Sequence, residues 1–306
     1  MGKCLRFVLV ICVLCSFMVL SVSVFAIDPI VTDATVSLSL TYSYNDSDFE
    51  GLKVSLYRVA EVDTNTVFRL SGDFQEYALA VNNVKSQEEW KQIAQTAMSY
   101  VVADSIEASA SAATDAEGKA SFEGLPTGLY LVSPCRVDHD KGYLSFDSFM
   151  MILPSANEDG TWSYEVDAKP KSVYVQTQPD DVEYSVIKLW KDTGFESARP
   201  ASVKIEIYKD GTFVEEVTLS ADNSWRYSWT APGDGAVWTV AEKDVAKDYT
   251  VLIENKDNTF AVSNTYSKNP PPPVTGDTAN TAFYVVMLAI AGLGLIIIGT
   301  TARRRG

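Results

Sequence analysis

The sequence predicts an all-β protein made of two tandem β-sandwich domains, the first with one inserted helix, and with an apolar helix near its carboxyl end. Three observations predict this architecture. Apolar residues recur at every second position over most of the chain, which is the spacing of half-buried strands. Turn residues separate these strands at short, regular intervals, as they do in sandwiches. The part of the chain between its two apolar ends, about 250 residues, suits two domains.

The amino-terminal segment, residues 1–26, has the features of a signal peptide. Lys3 and Arg6 form a positive region, an apolar run follows over residues 7–20, and Ala26 supplies a small residue at the expected cleavage point. The sequence therefore predicts a secreted protein.

The carboxyl-terminal segment, residues 277–306, has the features of a membrane span with a basic tail. Residues 282–300 form an uncharged run of 19 residues, long enough to cross ~30 Å of hydrocarbon as a helix. Three arginines follow at 303–305, and such a positive cluster stays on the cytoplasmic side. Everything between the two apolar segments is therefore predicted to face outward.

The composition of residues 27–275 argues against several classes of function. This part holds 39 acidic and 20 basic side chains, a net charge of −19, which disfavours nucleic acid and anionic lipid as partners. Cys135 is its single cysteine, so no internal disulfide is expected. His139 is the single histidine, and we expect it to be an exposed loop residue. We therefore expect no metal, no cofactor and no site of multiple-turnover catalysis.

The first domain, residues 27–172, is predicted from strand patterns interrupted by one helix. The stretches "VSLSLTYSY" (36–44) and "WSYEVDA" (162–168) alternate as half-buried strands, and "GKASFEGLPTGLYLV" (118–132) predicts two strands joined by a turn. Ser86 and Glu89 form a capping-box pattern at the start of the helix. The helix has an apolar stripe that we expect to pack in the core: Trp90, Ile93, Ala94, Ala97, Met98 and Val101.

A polar linker is expected over residues 173–182, because "VQTQPDD" lacks a strand pattern. The second domain, residues 183–267, contains seven predicted strands: "YSVIKLW", "SVKIEIY", "FVEEVTL", "SWRYSWT", "VWTVAE", "YTVLIE" and "TFAVSNTY". The "KDG" sequence at 209–211 predicts a hairpin between the second and third of these. Residues 268–276 are rich in proline and predict an extended spacer.

Three polar residues in the second domain lie on otherwise apolar strand faces. The alternation places Lys188, Glu242 and Asn264 each on the inward side of its strand. Burying any of them unpaired costs several kcal/mol, so we expect the three side chains to meet. Desolvation favours the neutral amine and the neutral acid. Two readings follow: a buried polar network, or an amide crosslink from Lys188 to Asn264 with Glu242 moving the protons.

Residues 183–267 resemble the Cna B-type domain, an Ig-like sandwich of Gram-positive surface proteins. The stretches "IKLWKD" and "VSNTY" are similar to that family's first and last strands, and "WTVAEKDVAKDY" (238–249) is similar in spacing to its E-box. The resemblance implies an intramolecular isopeptide bond between Lys188 and Asn264, catalysed by Glu242. The E-box pattern differs at five positions: Trp238, Lys243, Val245, Ala246 and Asp248. In the first domain, "VSLSLTYSY" has no lysine, and we expect no crosslink there.

The stretch "WSYEVDAKPK" (162–171) resembles the pilin motif, with Trp162, Val166, Pro170 and Lys171 in place. The resemblance implies that Lys171 is the amine through which subunits are joined. Pro170 fixes φ and is expected to present Lys171 beyond the strand. Lys169 is expected on the solvent face of the same strand, and the pattern leaves open which of the two lysines is the acceptor; an ordinary surface lysine is the alternative.

The segment "PPVTG" (272–276), followed by a span and a basic tail, resembles a sortase sorting signal. It contains Pro273, Val274, Thr275 and Gly276, with Pro272 in place of the usual leucine. The resemblance implies that a sortase cuts between Thr275 and Gly276 and passes the Thr275 acyl group to an amine. Without that step the chain would remain a single-pass membrane protein.

Taken together, these features identify the chain as similar to sortase-assembled pilin subunits. The resemblance implies a cell-surface protein whose partners are a sortase, further pilin subunits and peptidoglycan, and which is an enzyme's substrate rather than an enzyme. The alternative is a monomeric adhesin anchored directly to peptidoglycan, which would make no use of Lys171. The sequence does not distinguish a major from an accessory subunit, and it identifies no host ligand.

Overall fold

The computed structural model describes residues 28–157, 159–177 and 180–267. The expected signal peptide, sorting motif and apolar span lie outside these residues, and with them Pro273, Val274, Thr275 and Gly276. Within the described ranges, no helix combines the length and the apolar character that a membrane crossing requires.

The first domain is a strand-rich unit with one long helix. Its elements are β1 (Thr35–Thr41), β2 (Ser43–Tyr44), β3 (Ser47–Asp48), β4 (Lys53–Val62), β5 (Phe68–Leu70), α1 (Gln87–Ala103), β6 (Ala110–Ala113), β7 (Lys119–Pro126), β8 (Gly128–Val132), β9 (Cys135–His139), β10 (Gly142–Phe146), β11 (Phe149–Leu153), β12 (Ser155–Ala156), β13 (Trp162–Ser163), β14 (Glu165–Ala168) and β15 (Ser172–Gln176). The predicted strands at 36–44, 118–132 and 162–168 are confirmed, the last with an interruption at Tyr164.

Three layers form the core of this domain. The middle sheet has the strand order β11-β8-β4-β5, with β6 also paired to β4. One of its faces packs against α1, and the other packs against the sheet β14-β1-β7, so that β4 and β8 are buried on both sides. The sheets therefore form the expected sandwich, and the inserted helix adds a third layer to it.

Helix α1 begins at the predicted cap. The Ser86 hydroxyl accepts a hydrogen bond from the Glu89 backbone N–H at 3.1 Å, which satisfies one of the free donors at the helix start. The Glu89 carboxylate accepts from the Lys85 N–H at 2.6 Å, one residue earlier than a capping box requires. The apolar stripe packs in the first domain's core, as predicted.

The segment expected to be a linker, residues 173–182, forms β-strands at both of its ends. Ser172–Gln176 forms β15, which pairs antiparallel with β10, and residues from Asp181 belong to the first strand of the second domain. The polar residues from Gln176 onward hid β15, whose own sequence, SVYVQ, is typical of a strand. His139 is also the last residue of a strand, β9, and not a loop residue; its ring is half-exposed and contacts the edges of the Tyr44 and Tyr174 rings.

The second domain is a two-sheet sandwich in which all seven predicted strands are confirmed. They are β16 (Asp181–Lys191), β17 (Ser202–Lys209), β18 (Thr212–Ser220), β19 (Arg226–Pro232), β20 (Trp238–Lys243), β21 (Tyr249–Lys256) and β22 (Thr259–Tyr266). One sheet has the order β19-β16-β22-β21 and the other β18-β17-β20. The predicted hairpin joins β17 to β18 through Asp210 and Gly211, both with positive φ, as a tight two-residue turn requires.

Candidate functional site

The sandwich of the second domain brings Lys188, Glu242 and Asn264 together. Lys188 lies on β16 and Asn264 on β22, which are parallel neighbours, and Lys188 pairs with Val262 two positions before Asn264. Because side chains alternate along a strand, both point to the same face of their sheet. Glu242 lies on β20 of the opposite sheet and reaches them across the core.

The three side chains are in direct contact and buried. Lys188 Nζ lies 3.2 Å from Glu242 Oε2, and Asn264 Nδ2 donates a hydrogen bond to Glu242 Oε1 at 2.8 Å. Their residues are 3%, 3% and 0% exposed for Lys188, Glu242 and Asn264 respectively. Lys188 Nζ also donates to the Val262 carbonyl at 3.3 Å. Asn264 Oδ1 is buried and accepts no hydrogen bond from the described residues.

Burial shifts both titratable groups of the site towards their neutral forms. Desolvation lowers the pKa of the Lys188 ammonium to about 8, although the Glu242 charge partly opposes this change. Desolvation also raises the pKa of the Glu242 carboxyl, against the opposing effect of Lys188 and the hydrogen bond from Asn264. Burial therefore favours a neutral amine and a neutral carboxylic acid beside the Asn264 amide.

A second buried polar cluster lies next to this site, and the strand pattern did not predict it. Asp192 accepts two hydrogen bonds from Arg199, at 2.9 Å from Nε and 2.5 Å from Nη2, and a third from the Tyr249 hydroxyl at 3.0 Å. These bonds, that from Arg199 foremost, lower the pKa of Asp192. Asp192 continues the alternation of Lys188 and Trp190 just past the end of β16, so the same pattern extended by two residues would have found it.

The indole ring of Trp190 connects the two clusters. Lys188 Nζ lies 4.4 Å from the ring centroid, and the Arg199 guanidinium carbon lies 5.1 Å from it. Both cations therefore contact the π-face or its margin, an arrangement that stabilises positive charge. Asp192 balances the charge of Arg199, which leaves Glu242 as the carboxyl group in contact with Lys188.

One departure from the E-box pattern, Asp248 in place of glycine, is compatible with the local backbone geometry. Asp248 has a φ of +67°, a left-handed conformation that glycine adopts without strain and that aspartate tolerates better than most residues. The following residue, Tyr249, is buried and donates to Asp192. The turn before β21 therefore keeps its shape without the glycine of the family pattern.

Lys169 and Lys171 are both exposed in the short connection between β14 and β15, the last two strands of the first domain. Strand β14 ends at Ala168, Pro170 is buried, and Lys171 lies between β14 and β15. Neither lysine makes a hydrogen bond or an ion pair within the described part of the chain. Both amines are thus open to solvent, and their exposure alone does not distinguish them.

The remaining residues that the sequence singled out do not form a reactive site. Burial raises the pKa of the Cys135 thiol to about 11, so the thiol stays protonated at neutral pH. His139 lies 3.6 Å from Asp140. Over residues 28–157, 159–177 and 180–267, no group of histidine, cysteine or acidic side chains is arranged to hold a metal ion.

Comparison with known proteins identifies the second domain. Residues 184–265 match the family model of the Cna protein B-type domain. A search of curated proteins found no match. The matched residues include the buried Lys188, Glu242 and Asn264.

Several solved structures also show similarity. A B repeat unit of the Staphylococcus aureus collagen-binding surface protein is 16% identical, with 76% of this chain and 98% of that chain covered and a TM-score of 0.27. The major pilin SpaD of Corynebacterium diphtheriae is 17% identical, with 77% and 65% covered and a TM-score of 0.30. The shaft pilin SpaA of Lactobacillus rhamnosus GG is 15% identical, with 77% and 99% covered and a TM-score of 0.26.

Proposed function

We propose that this chain, with its Cna protein B-type domain over residues 184–265, is a structural subunit of a covalently polymerised pilus on a Gram-positive cell. The observation that carries the proposal is the buried contact of Lys188, Glu242 and Asn264 between the first and last strands of that domain. In a secreted chain whose one described cysteine is unpaired, a crosslink at this place supplies the strength that a load-bearing fibre needs.

The crosslink forms by transfer of the Asn264 acyl group from one nitrogen to another. The Asn264 amide first turns about its Cβ–Cγ bond, so that Oδ1 takes the place of Nδ2 beside Glu242. The neutral Lys188 amine then attacks Asn264 Cγ while protonated Glu242 donates a hydrogen bond to Oδ1, which has no partner among the described residues before this turn. A new Cγ–Nζ bond forms, the Cγ–Nδ2 bond breaks, and Glu242 passes a proton from Nζ to Nδ2, which leaves as ammonia. The reaction occurs once per chain because it consumes the side-chain amide of Asn264. It is driven by proximity, since the folded domain already holds the reacting groups in contact.

The position of the bond suits tension applied along the fibre. Strands β16 and β22 are the first and last of the domain and are held side by side by a parallel ladder of hydrogen bonds. Tension applied between residue 181, at the start of β16, and the end of β22, after residue 266, would shear this ladder of hydrogen bonds. A Lys188–Asn264 amide would carry the load through covalent bonds instead.

Polymerisation would use the carboxyl end of the exported chain and a lysine near the end of its first domain. A sortase cleaves the Thr275–Gly276 bond, holds Thr275 as a thioester on its own cysteine, and transfers it to the Lys171 amine of the next subunit. The same transfer to peptidoglycan would anchor the finished fibre to the cell wall. The exposure of Lys171 beside the buried Pro170 supports its role as the amine acceptor.

Mass spectrometry of isolated filaments tests both linkages at once. A tryptic digest should contain a branched peptide that joins Thr275 to Lys171, and a second linked peptide that joins Lys188 to Asn264 with the loss of one ammonia. Filaments that detergent dissociates into unbranched chains would refute the polymer. An unmodified mass for the peptides around 188 and 264 would refute the internal bond independently.

The rate of the internal reaction should depend on pH with a maximum on the acid side of pH 8. Amide formation requires one proton shared between Lys188 and Glu242. Raising the pH above about 8 removes that proton, since burial sets the pKa of Lys188 there, whereas acid protonates Lys188 as well as Glu242. Refolding the unreacted chain at a series of pH values and measuring released ammonia, normalised to folded protein, gives the profile. A rate that rises steadily to pH 10 would show that the Glu242 proton is not needed.

A further inference from the structure

Helix α1 of the first domain closes one side of the second domain's sandwich. Strands β20 and β21 are outer strands of the two facing sheets, and α1 packs against both of them. Leu252, on the outward face of β21, packs against the apolar cluster that contains the buried residues of α1. The sequence gives no sign of this contact, because the helix stripe is already used inside the first domain.

The first domain also supplies hydrogen-bond acceptors to the free edge of β21, as a neighbouring strand would. The backbone N–H of Val251 donates to the Ala78 carbonyl at 3.0 Å, and that of Ile253 donates to Thr96 Oγ1 at 2.7 Å. The N–H of Asn255 lies at 3.4 Å from the side-chain oxygen of Gln95. An outer strand normally presents such groups to solvent or to other chains. Here, oxygen atoms of the first domain accept from the backbone N–H groups of β21 at every second residue: Val251, Ile253 and Asn255.

The contacts of α1 involve the strands that carry or flank the reacting residues. Val251 is the cross-strand partner of Asn264, so the strand that α1 holds in place is the one that flanks Asn264. On the other sheet, Lys243 follows Glu242 and its ammonium lies 3.6 Å from Asp104 at the end of α1. Helix α1 therefore contacts the strand of the acid and the strand next to the amide.

Two residues on the side of α1 that faces the second domain are buried. Thr96 is fully buried, and its hydroxyl donates to the Gln92 carbonyl while accepting from the Ile253 N–H. Tyr100, one turn further, is 4% exposed, and its pKa is raised by burial and then by the nearby charge of Glu242. Thr96 and Tyr100 are thus shielded from solvent, whereas Gln95 and Met98 of the same helix line an open cavity between the domains.

We propose that α1 is a positioning element for amide formation in the second domain, with Thr96 as its main contact. The inference rests on the proposed Lys188–Asn264 bond. Docking of α1 holds the two sheets at the spacing in which Glu242 contacts both Lys188 and Asn264. The second domain consequently forms its crosslink only after the first domain has folded and docked, which orders the maturation of each subunit.

The test follows crosslinking in the full chain with time. Cells are pulse-labelled, samples are digested with trypsin, and the fraction of peptide linked from Lys188 to Asn264 is measured. Thr96→Val keeps the side-chain shape but removes the acceptor for the Ile253 N–H, and we expect crosslinking about three- to tenfold slower. Thr96→Ser restores the hydroxyl and should restore the rate, which a purely steric role would not predict.

Ser99→Ala is the matched control, because Ser99 is a buried hydroxyl of α1 that bonds only to the Gln95 carbonyl of its own helix. Its rate should equal that of the unmutated chain. If Thr96→Val fails to accumulate, Gln95→Ala takes its place, with a rate at least about twofold lower expected. An unchanged rate in either variant overturns the inference. Absence of linked peptide from the unmutated chain would refute the bond itself, a different result.

Discussion

Replacing Lys171 by alanine should abolish the ladder of covalent oligomers that wall extracts give on a denaturing gel, leaving a single band. In the proposed polymerisation, a sortase that held the acyl group of Thr275 would then have no acceptor on another subunit and would pass it only to peptidoglycan or water. The expected effect is all or none, because each subunit contributes one acceptor. The chain should still fold, since Lys171 is exposed and makes no ion pair or hydrogen bond within the described residues.

Lys169→Ala is the matched control, because Lys169 is an equally exposed lysine two residues earlier on the other side of Pro170. The ladder should persist in this variant. If Lys169→Ala removes the ladder and Lys171→Ala does not, the acceptor is Lys169. A single band from the unmutated strain would favour a monomeric adhesin anchored to the wall. A ladder in both single variants and in the double variant would exclude both lysines.

Replacing Asn264 by alanine should eliminate the internal crosslink and strongly destabilise the second domain. The bond would close a loop of about 75 residues, and a crosslink of that span contributes ~4–5 kcal/mol to the free energy of unfolding. We therefore expect a fall in Tm on the order of 20 °C for the second domain.

Calorimetry of the full chain and intact mass measure this effect together. Glu242→Gln should also prevent the bond, because the amide keeps the shape of the side chain but cannot move a proton. Ser263→Ala is the control, since Ser263 is the buried neighbour of Asn264 on β22 and takes no part in the reaction. A Glu242→Gln chain that still loses one ammonia would remove Glu242 from the mechanism, and an Asn264→Ala chain as stable as the parent would show that no bond existed.

The candidate site was largely predictable from the sequence, because burial of a polar residue leaves a local signature. Lys188, Glu242 and Asn264 each occupy an inward position of an alternating strand, and the pleat sends alternate side chains to opposite faces. The seven strands and the "KDG" hairpin followed from the same periodicity. The contact between the three side chains also followed, because an isolated buried charge is too costly to keep.

The Asp192 cluster shows where that reasoning stopped. Asp192 lies one residue past the end of β16, in a stretch that the alternation did not cover, and its partners Arg199 and Tyr249 come from a loop and from β21. The alternation extended by two residues would have marked Asp192 as inward, but it does not indicate which residues bind its carboxylate. Its burial depends on side chains up to 57 positions away along the chain.

The spacing and chemistry of neighbouring residues were sufficient to predict the strands, the helix with its cap, and the three inward polar residues. The pairing of Ser172–Gln176 with Gly142–Phe146, and the contact of α1 with the edge of β21, depend on the packing of whole domains. An unpaired backbone edge can bind any strand or side chain of suitable geometry. The group that binds it is therefore not indicated by a periodic pattern in the residues concerned.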